Sequence, residues 1–173
     1  METISRIELL LGDITKLEVD AIVNAANSTL LGGGGVDGAI HAAAGGQLYA
    51  ACLELDGCDT GDAKWTKGFN LPAKYVIHTV GPIWRGGNHN EEEKLTACYN
   101  NSLQVALAIG AKSVAFPAIS TGVYRYPPLA AAKVALSTVS HFLNGMGGEK
   151  IERVIFVAFD NATYEIYRKL LTP

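Results

Sequence analysis

Residues 20–41, DAIVNAANSTLLGGGGVDGAIH, decide how the rest of the chain is read. The apolar run Ala21-Ile22-Val23, leading into Asn24, is short enough to be a buried strand. Asn24-Ala25-Ala26-Asn27 then sets two amides among methyl-sized side chains, and Gly32 to Gly35 follow before Val36, Asp37, Gly38 and an apolar helical start at Ala39-Ile40. Glycine in regular structure costs roughly 0.5–1 kcal/mol relative to alanine, so a run of it inside a compact domain points to something that must approach the backbone closely. A glycine turn feeding a helix presents free N–H groups and the positive end of the helix dipole, which suits phosphate. A flexible surface loop also explains the glycines. It explains less well the strand-to-helix framing and the flanking Asn27 and Asp37.

Outward from that stretch, strand and helix signals alternate. Ile4–Leu11 reads as a strand with Ile7, Leu9 and Leu11 on one face and Arg6 and Glu8 on the other, closed by the turn Gly12-Asp13-Ile14-Thr15. Asp13 either caps that turn or offers its carboxylate to a ligand. Gly38 to about Ala51 is helical, with Gly45-Gly46 as an interruption or junction, and His41 defaults to a structural role. Ala63–Thr66 is a weak strand; Tyr75–Val80 (YVIHTV), stopped by Gly81-Pro82, is a firm one. Asn90 with Glu93 at the third helical position predicts a capping box, and the helix it starts runs to Gly110. Val114-Ala115-Phe116 is a short buried strand followed by the loop Ser120-Thr121-Gly122-Val123-Tyr124. Pro127-Pro128 opens a helix that Gly145 closes. Val154–Phe159 (VIFVAF) is a buried strand, and Asp160-Asn161 caps the last helix.

At 173 residues the chain is expected to be one domain, residues 1–173, with 49% apolar residues and a net charge of −3. That charge advertises no basic face for nucleic acid or anionic membrane. A small anion would be held by backbone amides rather than by a ring of Lys and Arg. Cys52, Cys58 and Cys98 form an odd set without CxxC spacing, and the opening METISRIELLLGD lacks an export signal, so the cytoplasm is the expected location. No stretch is long enough to span a bilayer.

Apolar strands alternating with helices imply a layered α/β sheet covered on both faces, whose ligands gather at the carboxyl ends of the strands. Asp13, the Asn27–Asp37 loop, the Ser120–Tyr124 loop and Asp160 all follow strands and share that rim. Gly33-x-Gly35-x-x-Gly38 formally matches a dinucleotide fingerprint, but Asn24–Leu31 separates it from its strand, and no strand precedes an acidic residue at the expected distance. No Gly-Lys-Ser/Thr follows, which excludes a Walker A loop.

Five blocks, in order, resemble the macrodomain family and its MacroD-type branch: Gly12–Thr15, Asp20–Asn27, Gly33–His41, Ile77–Pro82 and Phe116–Tyr124. They span essentially the whole chain and look most like the bacterial O-acetyl-ADP-ribose deacetylases. Gly61-Asp62-Ala63, followed by Lys64-Trp65, departs from the family pattern and leaves the strand there in doubt. The resemblance implies a three-layer α/β/α sandwich around a mixed, about six-stranded sheet, with ADP-ribose bound in a cleft. It implies that Asp13 accepts from the adenine amino group beside a backbone contact at Ile14, with Phe159 and Asp160 nearby. Gly33, Gly34, Gly35 and Val36, and Ser120, Thr121, Gly122 and Val123 with Tyr124, would wrap the diphosphate. Tyr124 would stack on the distal ribose, and Asn27 and Asp37 would flank that sugar as the catalytic pair.

The implied reaction is hydrolysis of an ester on the distal ribose, in O-acetyl-ADP-ribose and in ADP-ribose joined to protein Asp or Glu. Asn27 would fix a hydroxyl, while Asp37 would orient or deprotonate water, or leave the proton to a substrate phosphate. No cofactor is implied, and the His and Cys spacings suggest no metal. A binding-only ADP-ribose module, an NADH-using dehydrogenase and a protein-interaction module without a small ligand are the rival readings.

Overall fold

The computed structural model describes residues 4–172; Met1 to Thr3, where the export signal is expected to be missing, and Pro173 lie outside them. Six strands form one sheet: β1 (Ile7–Leu11), β2 (Ala21–Ala26), β3 (Ala63–Lys67), β4 (Tyr75–Val80), β5 (Ser113–Phe116) and β6 (Arg153–Ala158). Their order across the sheet is β1-β6-β5-β2-β4-β3. All neighbours run parallel except β3, which pairs antiparallel with β4 at one edge. The helices are α1 (Gly35–Ala44), α2 (Gly46–Leu55), α3 (Glu91–Ala108), α4 (Pro128–Asn144) and α5 (Asn161–Leu171).

Alternation along the strands divides the core in two. Val23, Ile77, Val114, Phe116, Val154 and Phe156 face α3, α4 and α5. Ile22, Ala26, Val76, Val80, Ala115, Ile155 and Val157 face α1 and α2. The period of two along a strand makes this partition unavoidable once both faces are covered. On the first face Tyr99, Phe116, Phe156 and Tyr167 stack in series with ring centroids 5.0 to 6.5 Å apart, and burying each contributes about 1.5–3 kcal/mol. The three-layer α/β/α sandwich and the mixed sheet agree with expectation.

Four local expectations are corrected. Ile4–Arg6 is a turn of 3-10 helix and not the start of β1. Arg6, expected to share a strand face with Glu8, precedes the strand and is buried, its guanidinium donating to the carbonyls of Leu143, Gly148 and Ile151 at and beyond the end of α4. β2 runs on through Asn24-Ala25-Ala26, since its ladder with β4 continues to Ala26 opposite Val80. The glycine run enters the helix earlier than Gly38: α1 begins at Gly35, and Gly45 (φ +89°) is the junction at which α2 starts afresh.

The expected capping box on α3 does not form. Asn90 sits at φ +61° without a side-chain cap. Glu91, the next residue, folds back, and its carboxylate accepts from the N–H groups of Arg85, Gly87 and His89 at 2.5–2.9 Å. Burial alone would raise its pKa, but those three donors outweigh it and hold the carboxyl at about 2.

Candidate active site

Because β1, β6, β5, β2 and β4 are mutually parallel, the loops after them emerge at one edge of the sheet. Gly12 N–H donates to Ala158 O at 2.9 Å, which draws the ends of β1 and β6 together and puts Asp13 beside Phe159-Asp160 on the rim. Asp13 Oδ1 accepts from Thr15 Oγ1 (2.7 Å) and Thr15 N–H (2.9 Å), the turn-capping role open to it, and both bonds lower its pKa. Ile14 is buried beneath it. Asp160 caps α5 through Thr163 N–H at 2.8 Å, which lowers its pKa likewise. Phe159 is 89% exposed, an apolar ring standing in solvent at the rim.

In the next loop Asn27 is held twice. Its Nδ2 donates to Gly32 O at 3.0 Å, and its Oδ1 accepts from Thr29 Oγ1 at 2.7 Å. Asp37, in the first turn of α1, is buried at 4% exposure, with Oδ1 accepting from Asn24 Nδ2 at 2.9 Å. His41, one helical turn on, brings Nε2 to 3.4 Å from the same oxygen. A β-carbon on Gly33 would lie 3.2 Å from Asp37 Oδ2 and 3.3 Å from Asn27 Nδ2, so amide and carboxylate converge on the Gly33 backbone. Gly38 is glycine for a neighbouring reason: a β-carbon there would be 2.5 Å from Gly33 O.

Nothing among the described residues comes within 4 Å of where a side chain on Gly34, Gly35 or Gly122 would begin. Nor do the N–H groups of Gly33 to Val36 and Thr121 to Tyr124 hydrogen-bond within the described residues. Free N–H groups beside open space, those of Gly35 and Val36 at a helix start, are what backbone binding of an anion requires. A hollow of about 540 Å³ opens on the α1–α2 side of Gly33, lined by Leu31, Gly32, Gly33, His41, Ala42 and Tyr49 among others and by no residue of the Ser120–Tyr124 loop.

The loop after β5 is braced from below. Ser120 takes φ +68°, and its buried hydroxyl presses so closely on Gly81 that no β-carbon would fit there. Ile119 N–H donates to the buried Tyr99 hydroxyl at 3.4 Å, Trp84 N–H to Tyr124 O at 2.8 Å, and Tyr126 N–H to Ser120 O at 2.9 Å. Thr121 Oγ1 bonds Ala118 O, while Val123 is 90% exposed and Tyr124 half-buried.

Sequence reasoning missed Asn24 and His78. His78 Nδ1 lies 3.2 Å from Asn24 Nδ2, and its Nε2 lies 3.0 Å from Thr66 Oγ1. Burial first, then the nearby His41, pushes the His78 pKa down to about 3. Cys52 Sγ stands 3.8 Å from His78 Nε2, and burial together with the Asp37 charge raises its pKa to about 11. The available signal was two polar residues in strands otherwise apolar on that face. No group of three or more potential metal ligands occurs among the described residues, and no helix there is long and apolar enough to cross a membrane.

Residues 23–135 match the family model "Macro domain". Over 97% of this chain and 96% of its own length, an O-acetyl-ADP-ribose deacetylase of Citrobacter rodentium is 55% identical. ADP-ribose glycohydrolase MACROD2 of Xenopus laevis is 58% identical over 92% of this chain, which spans 38% of that longer protein. The solved structure of a glycine-to-valine mutant of the Oceanobacillus iheyensis macrodomain with ADPR superposes with a TM-score of 0.89 at 44% identity, covering 95% of this chain and 91% of that one. The chain belongs to the macrodomain family, and these likenesses set it with the MacroD-type members.

Proposed function

We propose that this chain, acting as a single macrodomain over residues 1–173, is an ADP-ribose-binding hydrolase. It removes acyl groups from O-acetyl-ADP-ribose and mono-ADP-ribose from esters on protein Asp and Glu. The observation that carries the reading is the meeting of Asn27 and Asp37 on Gly33, beside glycine-lined open space with unused N–H groups. Relatives at 55–58% identity bear the names of deacetylase and glycohydrolase.

In this reading Gly33–Val36 and Ser120–Val123 hold the diphosphate from two sides. Asp13, with Ile14, Phe159 and Asp160, receives adenine, and Tyr124 packs on the distal ribose. Asn27 Nδ2 fixes a hydroxyl of that ribose. One carboxylate oxygen of Asp37 is occupied by Asn24, so Oδ2 is the oxygen left to meet water. Water adds to the ester carbonyl, its proton passing to Asp37 Oδ2 or to a substrate phosphate. The carbonyl–ribose oxygen bond then breaks, and the ribose oxygen takes up a proton. With all three cysteines unpaired, the cytoplasm is the proposed place of action.

The test is calorimetric titration with ADP-ribose, followed by acetate release from O-acetyl-ADP-ribose. Saturable binding with turnover is expected. Binding without acetate release would leave only an ADP-ribose reader, and absence of binding would end the reading altogether.

A further inference from the structure

On the α1–α2 face of the sheet, beneath the candidate pair, four polar side chains form a line through otherwise apolar core. Thr66 comes from β3, His78 from β4, Asn24 from β2 and Asp37 from α1, with exposures of 6%, 0%, 0% and 4%. The neighbouring inward residues of β2 and β4 are Ile22, Ala26, Val76 and Val80. Asn24 and His78 sit directly opposite each other in the parallel register.

The chemistry leaves one arrangement of protons. A carboxylate can only accept, so Asn24 must turn its NH2 toward Asp37 Oδ1, at 2.9 Å. The second hydrogen of that NH2 points to His78 Nδ1 at 3.2 Å, which therefore accepts. The ring proton is then on Nε2, donating to Thr66 Oγ1 at 3.0 Å. Burial keeps the ring neutral at any working pH. Asn24 Oδ1 is buried without a hydrogen bond among the described residues, so the amide is held by its NH2 end alone. A flip would set an oxygen against a carboxylate.

Resting on the reading of Asp37 as the residue that meets the reacting water, we propose that His78, acting through Asn24, is a positioning residue for it. The His78 ring fixes the amide, the amide takes up one carboxylate oxygen, and the other oxygen is presented at Gly33. Three groups face Asp37 from the elements packed on it: His41 on its own helix at 3.4 Å, Cys52 from α2, and His78 behind Asn24. None of these is a carboxylate, so introducing one at position 24 gives a specific readout.

The experiment uses the full chain and reads kcat for O-acetyl-ADP-ribose, ADP-ribose affinity by calorimetry, and thermal unfolding. In Asn24→Asp, two carboxylates meet within hydrogen-bond distance and one retains its proton to higher pH. The acidic limb of kcat should rise by at least about one pH unit, with affinity for ADP-ribose within about twofold of wild type. His78→Leu removes the acceptor and should lower kcat between about ten- and a hundredfold at unchanged affinity. His78→Asn, whose Oδ1 falls where Nδ1 was, should recover most of that loss. Equal losses in the Leu and Asn variants, or an unmoved acidic limb in folded Asn24→Asp, would overturn the proposal. If Asn24→Asp does not fold, the two position-78 variants decide. Asp37→Asn separates the two claims: if it retains full turnover, the reading of Asp37 itself fails. If it is dead while the position-24 and position-78 variants behave as wild type, only the positioning role is lost.

Discussion

At Gly33 a single methyl group would intrude between Asp37 Oδ2 and Asn27 Nδ2, at 3.2 and 3.3 Å. Gly33→Ala should therefore lower turnover by at least about tenfold while thermal unfolding shifts by no more than about 1 kcal/mol, because the backbone there needs no positive φ. Asp37→Ala should reduce kcat by about 10²–10⁴-fold and leave ADP-ribose affinity within a few-fold; a collapse of affinity with surviving turnover would reverse the assigned roles. Gly122 faces open space with an ordinary φ, so Gly122→Val should fold normally yet weaken ADP-ribose binding by more than about tenfold in calorimetry. Asn27 and Asp37 stood out in the sequence because they flank the glycine run, while their pairing came from the family resemblance. Asn24 and His78 were not, since each looks like a stray polar residue in an apolar strand until the register sets them opposite each other.

Among the elements, β4 and the capped start of α5 were readable from local chemistry: β-branched runs ended by Gly-Pro, and an Asp ahead of a helix. The start of α3 was not. Three consecutive glutamates at its N-terminus disguise which of them does the work, and the answer depends on where the preceding loop turns its N–H groups. Glu91 knots that loop, and its folded pKa near 2 lies below the ordinary value of 4.5. A depressed carboxylate stabilises the fold fully above its unfolded pKa and loses that contribution as pH falls through the folded one. Wild type should therefore lose stability between about pH 4.5 and 2, and Glu91→Gln should be less stable at neutral pH with a flatter profile across that window. Thermal melts of both proteins over the range check this; parallel profiles would show that the knot carries no stability.

For the molecule as a whole, a net charge of −3 and the absence of lysine from both proposed phosphate loops mean that attraction of an anion would rest on dipoles and N–H groups at short range. Raising NaCl from about 50 to about 300 mM should change the ADP-ribose dissociation constant by less than about threefold, whereas a lysine-clamped site would weaken steeply. The layered fold was legible because both faces of the strands are apolar; the strand order was not, because no local pattern encodes which strand pairs with which. That order has a mechanical consequence. The Gly81 backbone has no room for a side chain against Ser120, and Trp84 is tied to Tyr124, so the segments leaving β4 and β5 travel as one piece. A guest bound between the proposed glycine rims would meet one wall already stiff, and any adjustment to its shape would fall on the other, where no described residue leans on Gly34 or Gly35.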